Sequence, residues 1–483
     1  MVSVINQYFT LNSMNKELEK INDFTFKIKK HGNMTVDCIL YLNEKLANDL
    51  EDGAITQVKN VATLPGIIGK SIAMSDIHIG YGFSIGGVAA FSAKDGIISP
   101  GGIGFDINCG VRTLVTNLVY DDIKDKLPKI VEEIFTNVPC GVGGDGKIKL
   151  THTELDEVLK HGGKWALEKG YGDKSDVECC EENGCMKEAN SNTITPTAKA
   201  RGKTQLGTLG GGNHFLEVQI VNEIENKEIA EVFGITKKNQ VIIMIHTGSR
   251  GLGHQVCSDY IREMQKEHPD IFNKLPDKDL IYTPITSKVG QDYFSAMSAS
   301  ANFAWANRHI ISHEIKQIFK KHFDCEISTL YDVAHNICKR EIYDGQEMLI
   351  HRKGATRAFG KGHLEIPLKY RSVGQPVLIP GSMGTFSYIL CGTNKAEAET
   401  FGSTCHGAGR VMSRFSALNS MDIETITKEL NDKHIIIKSA SKKGIVEEAP
   451  ACYKDVTEVI KTVEGAGIAK VIVKLSPVAV IKG

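Results

Sequence analysis

The segment Gly101-Gly-Ile-Gly-Phe-Asp-Ile-Asn-Cys-Gly110 has to turn tightly, with glycine at 101, 102, 104 and 110. Glycine admits backbone angles that other residues avoid and lets another group approach the chain closely. Inside this turn a carboxylate, Asp106, and a thiol, Cys109, stand three residues apart. A hard oxygen donor and a soft sulfur donor in one turn suit a borderline divalent metal. Taken alone, the stretch serves equally well as a glycine turn around a buried free cysteine. The rest of the chain decides between these readings by whether it brings further ligands to the turn.

A chain of 483 residues gives a length prior of two or three domains. No internal repeat or low-complexity linker divides it, so one compact unit over residues 1–483 is expected. Residues 1–60 form a small mixed segment packed on that unit. A hydrophobic content of 41% and a charged content of 24% are those of an ordinary globular protein. The net charge of -1 supplies no global field for nucleic acid, so such binding would need a local basic patch. No apolar run approaches the roughly 18 residues of a membrane span. Residues 1–8 lack a basic and then apolar export pattern, so a cytoplasmic location is expected, with a nuclear pool in a eukaryotic source. The 12 cysteines are expected as reduced thiols or ligands. Cys179, Cys180 and Cys185 do not have zinc spacing and read as structural.

In chain order, residues 35–41 read as a strand and residues 43–50 as a helix capped by Asn43. Asp76 and His78 alternate on a further strand and share a face. Residues 64–71 resemble a phosphate loop, but Leu64 stands where its first glycine belongs. Residues 120–136 and 153–168 read as helices, and residues 139–146 as a glycine-rich solvated loop. Residues 170–204, polar and rich in cysteine and lysine, read as a long surface excursion in which Lys199, Arg201 and Lys203 give local positive charge. The apolar run 241–245 reads as a buried strand ending on His246. Residues 294–323 read as one long helix. Four cationic candidates fall within seven residues in His351-Arg-Lys-Gly-Ala-Thr-Arg357, a solvated basic loop or a phosphate-contacting one.

His214, His246 and His335 each follow a strand-like or glycine-rich approach, and each alone reads as a hydrogen-bonded core histidine. Together with Asp106 and Cys109 they make five mixed O, N and S donors, more than one tetrahedral zinc uses. They suit two adjacent metals with the thiolate bridging, as in phosphoryl-transfer sites. His406 stands among Gly407, Ala408 and Gly409 with Arg410 and Arg414 nearby, which suits a nucleophile attacking phosphorus.

These segments resemble the RtcB family of RNA-splicing ligases, from about residue 64 to residue 483. The matching motifs are Gly104-Phe-Asp-Ile-Asn-Cys-Gly-Val-Arg112, Gly210-Gly-Gly-Asn-His-Phe-Leu-Glu217, His246-Thr-Gly-Ser-Arg-Gly251, Ala334-His-Asn336, His351-Arg-Lys-Gly-Ala-Thr-Arg357, Pro380-Gly-Ser-Met383, His406-Gly-Ala-Gly-Arg410 and Lys482-Gly483. The resemblance implies an α+β fold, a single large unit with mixed β-sheets and flanking helices around a central dinuclear metal site. It implies two Mn²⁺ ions on Asp106, Cys109, His214, His246 and His335, and GTP as cosubstrate.

The resemblance further makes His406 the nucleophile that takes up GMP. An RNA 3′-phosphate, or a 2′,3′-cyclic phosphate after opening, would then be joined to a 5′-hydroxyl end through an RNA-ppG intermediate. The implied guanylate pocket comprises Asn213, His214, Phe215, Leu216, Glu217, His335, Asn336, Pro380, Gly381, Ser382, Met383, Ser387, His406, Gly407, Ala408, Gly409, Tyr453 and Lys482. Arg250, Arg352, Arg357, Arg410 and Arg414 are the candidates for RNA phosphates. Implied partners are tRNA exon halves, broken RNA ends and an archease-type activator, with the oligomeric state left open. Ile79 and Ser84 stand where the family usually has Gln and Pro. A GTP-dependent end-capping enzyme, a metal-dependent phosphatase and a scaffold that has lost its chemistry are the rival readings.

Overall fold

The computed structural model describes residues 17–483. The export-signal reading of residues 1–8 and the start of the N-terminal segment fall outside the described residues. Two large mixed sheets organise the rest, giving an α+β architecture. The first sheet has seven strands in the order Glu19–Asn22, Thr25–Ile28, Asp37–Leu40, Ile67–His78, Ile85–Ser92, Gln346–Lys353 and Asn336–Tyr343. The N-terminal segment therefore joins the edge of this sheet, Asp37–Leu40 pairing in parallel with Ile67–His78. Asn43 caps the helix Glu44–Asn48 by accepting from the backbone N–H of Leu46.

The second sheet runs Ile327–Ala334, Gly110–Val119, Gln240–Thr247, Phe215–Ile224, Ala469–Lys482, Ser387–Gly392 and Pro376–Ile379, and Ile436–Ser439 pairs with Ala469–Lys482 in parallel. Every residue of Gln240–Thr247 is buried. Strand alternation sends Ile243 and Ile245 against Leu127, Ile130 and Ile315 on one face, and Ile242 and Met244 against Phe233 and Leu378 on the other. A sheet covered on both faces needs such a continuous apolar strand. The two sheets meet in one core where Ile72, Ile77 and Ile350 pack with Ile379 and Leu390. The helix Lys288–His322, 35 residues long, runs through the interior with Trp305 fully buried.

Three expectations need correction. The helical stretch 120–136 is two helices, Tyr120–Ile123 and Leu127–Asn137, the second with Pro128 in its first turn. The stretch 153–168 divides at Gly162, whose φ of 55° with ψ of -128° is a combination open to glycine and not to other residues. Residues 170–204 are not a surface excursion, because Asp176, Cys180 and Glu181 are buried. Their polarity is matched inside. Lys316 pairs with Asp176, Lys339 with Glu181 at 2.6 Å, and Arg112 donates to Cys180 Sγ at 2.9 Å. No helix among the described residues is long and apolar enough to cross a membrane.

Candidate active site

Four neighbouring antiparallel strands of the second sheet bring their ends together at one side. Gly110 pairs with both Ala334 and Thr247, and Phe215 pairs with His246. Cys109, His335, His246 and His214 therefore emerge at the same end of the sheet, although the sequence scatters them over more than 200 residues. The turn carrying Asp106 and Cys109 is stitched to its neighbour. The Asn108 N–H donates to Asn336 O at 2.7 Å, His335 N–H to Cys109 O at 2.9 Å, and Asn336 Nδ2 to Asp106 O at 3.2 Å. Asn108 takes a φ of 52°, which an asparagine tolerates better than most residues.

The donor atoms converge on two sets that share Cys109. Cys109, His246 and His335 form one, and Asp106, Cys109 and His214 the other, with the ligand atoms of each within 4.8 Å of one another. Cys109 Sγ lies 3.2 Å from His246 Nε2 and 3.5 Å from His214 Nε2. His246 Nε2 and His335 Nε2 are 3.2 Å apart, and His214 Nε2 is 2.7 Å from Asp106 Oδ2. Burial, reinforced by neighbouring imidazoles and by Arg308, holds His246 and His335 well below the ordinary histidine range. Neutral imidazoles with converging Nε2 atoms around a cysteine that can give up its proton are what a metal ion requires. This cluster could hold one. His214 Nδ1 bonds Leu209 O at 3.0 Å, which fixes the ring with Nε2 toward the cluster.

Two adjacent residues of the long helix hold these segments in place. Asn307 accepts from the N–H groups of Gly207 and Thr208 at 2.8 and 3.0 Å, on the approach to His214, and donates to Gly248 O at 3.3 Å. Arg308 donates to Asn108 O and Thr247 O, both at 2.8 Å, and to Asp332 on the strand that leads to His335. Arg308 is fully buried, and Asp332 is shared with Arg112.

His406 follows the short strand Ser403–Cys405 and reaches the other side of the cluster, its ring centroid 4.8 Å from that of His335. Its Nδ1 lies 2.5 Å from Asp76 Oδ2, which also accepts from the N–H groups of His406 and Gly407. Burial raises the Asp76 carboxyl, but the adjoining His406 imidazole outweighs this and leaves it below the usual carboxylate range. An ionised Asp76 keeps a proton on Nδ1 and leaves Nε2 as the free nitrogen. Gly409 permits the close approach: at its φ of 75°, a Cβ would stand 2.2 Å from Asp76 O.

His406 borders a cavity of ≈ 550 Å³. Its walls include Asn213, Phe215, His335 and Asn336, the loop from Pro380 to Met383, and Gly407, Ala408 and Gly409. Arg410, Arg414, Tyr453 and Lys482 line the same cavity. The three cations converge on one buried carboxylate, Glu448, at 3.3 Å from Arg410 Nη1, 3.0 Å from Arg414 Nε and 3.9 Å from Lys482 Nζ; Tyr453 also donates to it. Below the loop, Gln219 Nε2 donates to Glu217 at 2.7 Å and to Ser387 Oγ at 2.9 Å, and Ser387 Oγ accepts from Gly381 N–H. Burial pushes the Glu217 carboxyl up to about 8.

Some expected site residues lie elsewhere. Leu216 turns into the apolar core beside Val218 and Ile481. Arg250 donates to Thr208 Oγ1 at 3.1 Å and to Gly141 O at 3.4 Å, behind the cluster rather than on the cavity wall. Arg352 and Arg357 are not available to phosphate. Arg352 is fully buried against Glu341 at 2.6 Å, and Arg357 pairs with Glu182 and Glu365 at 3.1 and 2.8 Å. The basic run is the end of the strand Gln346–Lys353 and the short strand Ala355–Arg357 rather than a loop; its two arginines are matched by carboxylates, and Lys353 donates to Tyr81 O. Asp76, Glu448 and Arg308 are site residues that sequence reading does not connect to the chemistry. Only Asp76, alternating with His78, gives a local signal.

The class this geometry defines is an α+β protein with a cysteine-centred cluster able to hold metal, opening on a basic cavity beside an oriented histidine. The family model described as tRNA-splicing ligase RtcB matches residues 57–483. A protein named tRNA-splicing ligase RtcB from Archaeoglobus fulgidus is 48% identical, the alignment covering 97% of this chain and 100% of the relative. Proteins of that name from Methanococcus maripaludis and Thermococcus kodakarensis are 49% and 48% identical, over 97% and 96% of this chain and 100% and 99% of their own lengths. The chain belongs to the RtcB family.

Proposed function

We propose that this chain is a GTP-dependent RNA ligase that works as one catalytic unit. It joins a 2′,3′-cyclic phosphate or 3′-phosphate end to a 5′-hydroxyl end in tRNA splicing and RNA repair. The observation that carries the reading is the Asp76–His406 pair at 2.5 Å, which leaves Nε2 free on the cavity wall next to His335. Nε2 attacks the α-phosphorus of GTP, the N–P bond forms, and pyrophosphate leaves. An RNA 3′-phosphate oxygen then attacks that phosphorus and breaks the N–P bond, giving RNA-ppG. The 5′-hydroxyl oxygen attacks the RNA phosphorus, the phosphodiester forms, the hydroxyl proton departs, and GMP leaves. A cyclic end must first be opened by water to the 3′-phosphate.

Asp106, Cys109 and His214 would hold one Mn²⁺, and Cys109, His246 and His335 a second, with Cys109 shared. Bound there, the ions supply positive charge to the phosphoryl oxygens. Asp76 holds the His406 proton and ring, so the nucleophile needs no reorientation. Among the described residues, Glu448 is the one carboxylate within ion-pair distance of Arg410, Arg414 and Lys482, so a polyphosphate entering the cavity meets cationic charge that is incompletely matched. Phe215, the Pro380–Met383 loop, Ser387 and Tyr453 would frame the guanine, and Glu217 would accept from its N–H edge, which adenine does not offer in that arrangement. An archease-type activator and a cytoplasmic location are proposed on the family resemblance alone.

The test is a joining assay with Mn²⁺, GTP and two RNAs, one ending in a 3′-phosphate and one beginning with a 5′-hydroxyl. The expected product is the joined strand, dependent on GTP. RNA-ppG accumulating without joining would replace ligation with end capping. Phosphate release without nucleotide transfer would replace both with a phosphatase.

A further inference from the structure

Beside the metal cluster the surface carries three rings that the reaction above does not use. Tyr81 comes from the turn after Ile67–His78, Phe105 directly precedes Asp106, and His254 lies near the start of the helix Arg250–Glu267. Phe105 stacks on His254 with centroids 4.9 Å apart and planes 27° from parallel, and meets Tyr81 edge-on at 5.5 Å. Tyr81 is 62% exposed and borders the cavity, and His254 is exposed with no hydrogen-bond partner for its ring among the described residues. The three rings form one ledge running outward from the cavity past Asp106.

The ledge is held firmly. Gln57 bonds both backbone groups of Gly80, at 2.6 and 2.9 Å, and the buried Lys353 donates to Tyr81 O. Gly82, at a φ of 70°, lets the turn lie against Asp279 O, which a Cβ would meet at 2.5 Å. A turn fixed this firmly keeps the exposed Tyr81 ring in one place at the mouth of the cavity. A cation flanks the far end. Arg201 packs along Gly251, its Cβ within 3.5 Å of a Cβ built there, and positions 251 and 254 share a helix face. Arg201 is exposed and has no carboxylate within ion-pair distance among the described residues.

Flat rings in a row, continuous with a phosphoryl-transfer cavity and flanked by a free guanidinium, match the chemistry of a single nucleic-acid strand. Bases stack on rings regardless of sequence, and phosphates find the cation. The geometry points to Tyr81, Phe105 and His254 as a stacking subsite for the nucleobases next to the RNA end being joined, with Arg201 holding a following phosphate. This rests on the ligase reading and names where its RNA lies. Ile79, 49% exposed two residues before Tyr81, extends the apolar rim of the same cavity.

The test uses the full chain with Mn²⁺ and short single-stranded RNAs carrying either end. Each RNA is prepared with 2-aminopurine or an abasic nucleotide in the first two positions. Tyr81→Ala should weaken RNA binding roughly 10-fold, the size of one lost base stack. Tyr81→Phe should restore it, and Arg201→Ala should reduce the salt dependence of binding. On wild type, 2-aminopurine emission should be quenched on binding, and an abasic end should cost as much as Tyr81→Ala.

Combining the abasic RNA with the variant should cost no more than either change alone, the signature of two groups in contact. Additive losses, unquenched emission or unchanged affinity of Tyr81→Ala for both ends would overturn the subsite. GTP labelling of the same wild-type preparation separates the two readings. Label with no ledge effect leaves the ligase and removes the subsite, whereas no label removes the ligase reading itself.

Discussion

Two sets of basic side chains sit within this molecule, and they differ in how many carboxylates they meet. Arg308 and Arg112 share Asp332, Arg352 has Glu341, and Arg357 has Glu182 and Glu365. At the cavity, Arg410, Arg414 and Lys482 have, among the described residues, one carboxylate within ion-pair distance, Glu448. The first set sets four buried arginines against four carboxylates, and its role is to hold strands and loops together. The second is left short of negative charge where a polyphosphate would enter. A basic side chain is therefore assigned by the carboxylates folded around it, and the same residue type builds the frame in one place and the site in another.

The largest effect should fall on the frame. Arg352→Met strands Glu341 in the core and should cost about 3–5 kcal/mol of unfolding free energy in urea. Arg414→Met, at a side chain 47% exposed, should cost under about 1 kcal/mol. Equal losses would erase the distinction between the two sets. Next comes Asp76, the buried carboxylate through which the frame reaches the cavity. Asp76→Asn should slow guanylylation about 100-fold in single-turnover labelling, because the amide no longer fixes the His406 proton on Nδ1.

A smaller effect belongs to the cavity cations. Arg414→Met should weaken GTP binding about 10-fold, with a shallower salt dependence. Unaltered affinity would move Arg414 into the matched set. The smallest effect sharpens the picture at Glu217. Burial raises its carboxyl to about 8 in the free protein, whereas accepting from guanine requires the ionised form. GTP binding should thus release a proton, tighten as pH rises toward 8 by at most about 10-fold per unit, and level off above. Titration in buffers of different ionisation enthalpy reads that proton, and Glu217→Gln should abolish its release.

The metal-ligand candidates were legible in sequence because each sits where an apolar strand or a glycine run ends, and those ends share one edge of the sheet. The nucleophile candidate was legible from the small residues around His406. Its partner Asp76 was not, because 330 residues separate them and only the packing of Ser403–Cys405 beside Ile67–His78 joins them. The run 351–357 misleads because sequence does not show which carboxylates fold against it. Its arginines look free until Glu341, Glu182 and Glu365 fold against them, and Glu182 lies 175 residues from Arg357. Residues 170–204 look like surface because polarity in sequence does not reveal that Lys316 and Lys339 reach in to neutralise it.

The central claim is that His406 carries the nucleotide. Incubation with α-labelled GTP and Mn²⁺, comparing wild type with His406→Ala, tests it most directly. The account predicts a label on the wild type that is lost in acid and survives base, as a phosphoramidate would, and no label on His406→Ala. Label retained by folded His406→Ala, or none on wild type even with an activating extract, would contradict it.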